Sequence, residues 1–298
     1  MKVSYVTSLF LSSTLLFAGC SSSNESAEQT PNQAAAQPAA SQPTAAAQPE
    51  AGDVQGDPQL AQTVDQYRSY VVTQCDAFVK ATEQFANAVK AGNVEQAKKL
   101  YAPTRMYYER IEPIAEALGD LDPNIDAREG DVPDQEWRGF HRIEQALWEK
   151  QTAEGQGAYA DQLLQDVKQL RALVETVEID GKLLVTGAVE LLNEVSSSKV
   201  TGEEERYSHT DLYDFAANVE GAQQIFVTLK PVLAQKDQPL TDTIEQRFDS
   251  LFALLAPFKQ GEGYVSYTEL KQEQTKQLSQ AIDALAEPLS QMGTALNL

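Results

Sequence analysis

From Pro58 onward, apolar residues return every three or four positions, which is the spacing of one face of an α-helix. The clearest stripe is Val64, Tyr67, Val71, Cys75, Phe78, Phe85 and Val89, with Thr82 filling its gap. It predicts a helix over 59–91, closed by Gly92. Asn93 then caps a second helix that runs to 118, bent at Pro103. Residues 119–134 hold Pro123, Pro133 and several aspartates, and read as a loop. Further helices are predicted over 136–150, 158–176, 181–196, 209–235, 240–258 and 267–296, with a second acidic loop over 197–207. No stretch alternates as a strand would over a useful length. The expected fold is all-α: two packed bundles of antiparallel helices.

The chain before Pro58 follows a different pattern. Lys2 precedes a mostly apolar run from Ser8 to Phe17, and Leu16-Phe17-Ala18-Gly19-Cys20 follows. That run is too short to span a bilayer and reads as a secretory signal over 1–20. A cysteine directly after small residues resembles a bacterial lipoprotein signal, in which Cys20 would carry the lipid and become the mature N-terminus. Phe17 departs from that pattern, standing where leucine is usual. The other reading is an ordinary secreted protein cut near Ala18, with Cys20 free. Residues 21–57 are rich in Ala, Gln, Pro, Ser and Thr and lack aromatics. Such a segment buries too little apolar area to offset its ordering entropy, and reads as a disordered tether. The helical domain is then 58–298. With Cys20 lipidated, Cys75 has no disulfide partner, and its place on the apolar stripe makes it a small core residue.

Charge narrows the choice of partners. The formal net charge is −21 and the pI near 4.4. Such a surface repels nucleic acid and anionic lipid headgroups and attracts cations, although acidity often serves solubility alone.

The chain has only two histidines, His141 and His209, each beside carboxylates near the start of a helix that follows an acidic loop. His141 and Glu144, three apart, project from the same helix face, so one rigid element would offer an imidazole and a carboxylate. Taken alone, the pair is more often a surface ion pair. Its neighbours Phe140, Ala146, Leu147 and Trp148 favour a partly buried position. Glu109 and Glu112 form an acidic stripe with Arg105 and Glu116, bordering the apolar face of Tyr108, Ile111, Ala115 and Leu118. An Arg105–Glu109 pair at i, i+4 is the alternative to metal ligation there. Pro113 has no N–H, so the carbonyl of Glu109 loses its usual helical partner. Asp120, Asp122 and Asp126 either shape turns or supply a ligand. In the second cluster, Ser208 and Asp211 fit a capping box. His209 would lie at the positive end of that helix, available as a ligand or hydrogen-bond partner. The sequence contains no His-Glu-x-x-His, no Gly-rich phosphate loop, no Gly-x-Ser-x-Gly elbow and no Cys-x-x-Cys.

Three stretches together resemble one family. They are Tyr108–Glu116 with Gly119–Asp126, then Glu136–Trp148, then Thr201–Phe215 with Ala217–Gly221. These are similar to the imelysin-like proteins, most closely the EfeO/EfeM group of envelope iron-uptake proteins, over roughly 58–298. The resemblance implies a two-bundle helical fold and a metal site around His141 and Glu144, with Glu109, Glu112 and Asp126 at positions of the family's acidic ligands. Glu204, His209 and Asp211 match its second motif, with a less defined role. The longer EfeO proteins carry a cupredoxin-like domain before the helical one. Here the low-complexity tether stands in its place, which favours the short EfeM-like form.

The expected function follows from these readings. A periplasmic protein, anchored to the membrane through Cys20, would capture iron and deliver it to an inner-membrane permease, with a haem peroxidase as the further partner implied by the resemblance. Carboxylates with one imidazole suit iron or manganese and can take copper or zinc. A metallopeptidase is the enzymatic alternative, because imelysin-like proteins have been classed with peptidases, but no set of ligands plus general base stands out. A polymer- or surface-binding lipoprotein is the third reading.

Overall fold

A proline at the first helical position and an aspartate just before it mark where the ordered domain starts. In the computed structural model, which describes residues 57–119 and 121–298, Asp57 accepts a hydrogen bond from the Gln59 N–H at 3.0 Å and α1 runs Pro58–Lys90. Residues 1–56 and Asp120 lie outside the described residues, and with them Cys20, the signal and nearly all of the proposed tether. Gly92, at φ 71°, makes the turn, and Asn93 caps α2 (Val94–Glu109) by accepting from the Gln96 N–H.

α2 ends well before the predicted 118. Pro113 can neither donate to the Glu109 carbonyl nor sit beside it in an α-helix, and the chain continues as a 3-10 helix over Glu112–Leu118. The freed Glu109 carbonyl accepts from the Asn218 side chain at 3.0 Å. The expected loop at 119–134 contains a short helix, α3 (Leu121–Asp126). The remaining helices are α4 (Phe140–Trp148), α5 (Gly157–Leu173), α6 (Gly181–Ser197), α7 (Asp211–Lys236), α8 (Gln238–Leu255) and α9 (Gln272–Leu296). Where helix was expected up to 258, Pro257 and Gly261 instead give a 3-10 turn and a two-residue hairpin, β1 (Lys259–Gln260) with β2 (Gly263–Tyr264).

The all-α expectation holds among the described residues. α1 packs against α2 and α5, with α3 and α4 beside them, while α6, α8 and α9 pack together. α7 joins the two groups, touching α1 and α2 on one side and α6, α8 and α9 on the other. It is accordingly apolar around most of its circumference, with Leu212, Phe215, Val219, Ile225, Phe226 and Leu229 all buried. Two glycines let the end of α2 and the 3-10 segment approach this assembly. A Cβ on Gly221 of α7 would lie 2.4 Å from the Arg110 carbonyl oxygen, and one on Gly187 of α6 would lie 1.8 Å from that of Pro113. The carboxylates at the end of α2 are thereby pressed toward α7 and the segment before it. No helix among the described residues is long and apolar enough to cross a membrane.

Candidate metal centre

Ionisable side chains are seldom fully buried unless paired. Here Arg105, Glu109, His141, Glu144, Lys199, Glu204, Glu205, Asp211 and Asp214 are all buried, and most meet in one network. They come from α2, α4, α7 and the segment between α6 and α7.

Gly139 sets the position of His141. Its φ is 91°, and a Cβ there would lie 2.2 Å from the Ile125 carbonyl oxygen, so only glycine lets α4 start this close to α3. Phe140 anchors the same turn, stacking on Phe78 and Phe85 at 5.9 and 5.7 Å between ring centroids. His141, 2% exposed, then points into the charged cluster. Its Nδ1 lies 3.1 Å from Glu144 Oε2 and 3.5 Å from the Tyr101 hydroxyl. Its Nε2 makes no hydrogen bond and lies 3.6 Å from Asp126 Oδ1 and 3.8 Å from Glu204 Oε1. The predicted shared face of His141 and Glu144 is therefore present.

Two sets of donor atoms lie close enough together to hold one ion. One is Asp126, His141 and Glu204, and the other His141, Glu144 and Glu205; within each set the atoms are within 4.8 Å of one another. Glu109 and Glu112 belong to neither set. Their carboxylates are held by the Lys199 ammonium, 3.1 Å from Glu109 Oε2 and 2.8 Å from Glu112 Oε2, and by the Asn218 amide. Glu109 also pairs with Arg105, the i, i+4 alternative noted in the sequence. The Arg105 guanidinium is the hub of the network. It contacts Asp126 and Glu109 through its Nη atoms, lies 2.5 Å from Glu205 Oε1 and 3.3 Å from Asp214 Oδ1 through Nε, and is wholly buried.

The second motif divides. Glu204 joins His141. His209 is exposed at φ 55°, and only its backbone serves the site: its N–H donates to Glu205 O and its carbonyl accepts from Tyr267 N–H, both at 2.9 Å. The predicted capping box is absent. Thr210 occupies the N-cap without a side-chain bond, Ser208 Oγ donates to Glu205 Oε2, and Asp211 Oδ1 accepts from the Glu205 N–H. Asp211 thus braces the Glu204–Glu205 turn from outside both donor sets.

Charge and burial together set the protonation states. Burial and the Arg105 charge both oppose protonation of His141, but the nearby carboxylates of Asp126, Glu144 and Glu204 outweigh them and hold its pKa well above the usual value. Burial would raise Asp126, yet Arg105 and His141 hold it well below the carboxylate range. Glu204, likewise opposed by burial, is lowered to about 2 by Lys199 and His141. Burial and the Glu144 charge raise Glu205, and burial raises Asp214. Glu144 is opposed by burial but lowered by its hydrogen bond to His141, and the two carboxylates facing Nε2 are likewise held ionised. Asp126 and Glu204 also line a cavity of about 210 Å³, together with Glu112, Asp122, Arg128 and Glu194. A neighbouring cavity of about 260 Å³ shares Glu112, Asp122 and Glu194.

Lys199, Glu205, Asp214 and Asn218 were not singled out as site residues from sequence. Glu205, Asp214 and Asn218 lie inside the stretches that carry the family resemblance. Lys199 sits on an irregular turn, where no periodicity marks it.

A sequence model of the imelysin family matches residues 63–292. An Efem/EfeO family lipoprotein of Staphylococcus haemolyticus (strain JCSC1435) is 48% identical over 238 residues, covering 78% of this chain and 83% of that protein. An Efem/EfeO family lipoprotein of Staphylococcus aureus (strain NCTC 8325 / PS 47) is 48% identical over 240 residues, covering 78% of this chain and 84% of its own length.

Proposed function

This chain belongs to the imelysin family, and we propose that it is the metal-capturing component of an envelope iron-uptake system. On this reading Cys20 carries the lipid anchor, iron is the cargo, and an inner-membrane permease receives it, with a haem peroxidase as the further partner. The lipoprotein names of its relatives support the anchor and the envelope location.

The observation that carries the metal reading is the His141 Nε2 atom. It is buried, has no hydrogen-bond partner and faces two carboxylates held ionised at the wall of an acidic cavity. A buried polar atom without a partner calls for a ligand, and one imidazole with oxygen donors suits iron or manganese, with copper or zinc as competitors. Asp126 and Glu204 would hold the ion with His141. Arg105 and Lys199 offset the surrounding negative charge, so that the site does not depend on bound metal to remain folded. Acid favours release, because the proton on His141 and the ion compete for the same nitrogen.

The geometry favours carriage over peptide hydrolysis. A cavity of about 210 Å³ accommodates an ion with a few waters, whereas ligand pockets usually start at about 300 Å³. Glu205, the other carboxylate near the ring, is engaged by Arg105 and Ser208. Calorimetric titration with iron under controlled redox conditions, on wild type and His141→Ala, tests the assignment. Loss of binding in the variant is expected, and equal affinity in the two proteins would refute it.

A further inference from the structure

We propose that Glu144 is a positioning residue and not a ligand: it fixes the His141 ring so that the ion is taken on Nε2, between Asp126 and Glu204. This rests on reading the centre as a metal site. The His-x-x-Glu spacing alone suggests two ligands from one helix face, and the second donor set, His141 with Glu144 and Glu205, would put the ion on the Nδ1 side.

The hydrogen bonds argue for the other side. Both Glu144 oxygens are already committed. Oε1 accepts from the backbone N–H of Tyr207 at 3.1 Å and of Ser208 at 2.7 Å, and Oε2 accepts from His141 Nδ1 at 3.1 Å. An ion on the Nδ1 side would have to displace the Nδ1–Oε2 hydrogen bond that now holds the ring. It would also have to enter beside the buried Tyr101 hydroxyl, 3.5 Å from Nδ1. Nε2, in contrast, has no partner to give up. Its flanking carboxylates, Asp126 and Glu204, line the 210 Å³ cavity, and Glu144 and Glu205 do not.

The arrangement has a chemical consequence. An imidazole that donates its Nδ1 proton to a carboxylate has its tautomer and orientation fixed, presents the Nε2 lone pair, and becomes a stronger donor. Glu144 does more than this here. The two N–H groups it binds belong to the segment that carries Glu204, so one buried carboxylate holds the imidazole and the opposing donor in register.

Nitrogen-15 spectroscopy of histidine-labelled protein loaded with zinc, a diamagnetic probe, tests this directly, because the full chain contributes only His141 and His209. The expected spectrum shows His141 with a metal-shifted Nε2 and a retained Nδ1 proton. A metal-shifted Nδ1 with a proton on Nε2 would overturn the proposal. Zinc bound with no shift at either His141 nitrogen, or no zinc bound at all, would overturn the metal reading itself and this assignment with it.

Variants give a second readout. Glu144→Gln is expected to weaken zinc affinity by about ten- to a hundredfold while the ligand-field bands of the cobalt(II) form keep their positions. Asp126→Asn and Glu204→Gln are expected to move those bands. Moved bands in Glu144→Gln would show a lost donor and overturn the proposal. Should Glu144→Gln fail to fold by circular dichroism, the labelled wild-type spectrum decides.

Discussion

Arg105 offers the most direct quantitative check of how this centre is built. Its guanidinium is wholly buried and meets Glu109, Asp126, Glu205 and Asp214. It also lies 5.6 Å from the Phe140 ring centroid, on the turn that presents His141. Arg105→Met keeps much of the side-chain volume and removes the charge; Glu109 keeps the Lys199 ammonium and Asp126 keeps His141, while Glu205 and Asp214 lose their arginine partner. Breaking a buried ion pair by removing one partner costs about 3–5 kcal/mol. A domain of this size shifts its melting temperature by about 2–4 °C per kcal/mol, so the metal-free variant should melt about 6–20 °C below wild type. Circular-dichroism melts near neutral pH with a chelator present would measure it. Arg105→Lys keeps the charge but not the planar fork, and should lose less. The gap between Arg105→Met and wild type should narrow as pH falls, since a protonated carboxyl group needs no counter-charge. Added metal should raise the melting temperature of Arg105→Met more than that of wild type, because the ion replaces the missing charge. A variant melting within about 2 °C of wild type would mean that the carboxyl groups are neutral or hydrated, and the account of the network would fail.

Three further outcomes follow from particular residues. Gly139→Ala forces a side chain into a left-handed backbone position and against the Ile125 carbonyl; a loss of about 1–3 kcal/mol from strain alone is expected in urea titrations, with weaker zinc binding, and unchanged values for both would contradict the role given to Gly139. Asp211 is pushed up to about 6 by burial from an ordinary 3.8, so its favourable contribution is complete below that lower value and is lost as pH rises through about 6. Asp211→Asn should therefore gain on the order of 2–3 kcal/mol near neutral pH and show no such gain in strong acid; a pH–stability profile parallel to wild type would refute this. Cys75 is inaccessible, and burial pushes its thiol up to about 12, so alkylation read by peptide mass spectrometry should label it only after unfolding. Rapid labelling in the native state would place it outside the core.

Local pattern made the helical framework legible. The α1 stripe from Val64 to Val89 is buried as its three-and-four spacing requires, and Asn93 caps α2 as expected; Asp57 and Asp180 cap α1 and α6 without having been expected to. Pro113 announced that the Glu109 carbonyl would need another partner, and its effect was stronger than a bend, since α2 ends there. The shared face of His141 and Glu144 could be read because three residues on a helix lie in a nearly fixed relation. The short helix α3 and the hairpin after α8 were missed, since segments of a few residues are decided by their packing surroundings more than by their own pattern.

The sequence by itself determined that this protein is a helical domain with His141 and Glu144 on one helix face, because periodicity and side-chain spacing act over a few residues. Only the tertiary structure decided the part each charge plays. It placed Asp126 and Glu204 on the open side of the His141 ring, tied Glu109 and Glu112 to Lys199, and left His209 in solvent. Those outcomes depend on where the irregular segment from Lys199 to Thr210 crosses α2 and α4, some 60–100 residues away in the chain for most of its contacts. No local spacing encodes that crossing. It is settled by which buried charges can be neutralised together, a condition that only the assembled core imposes.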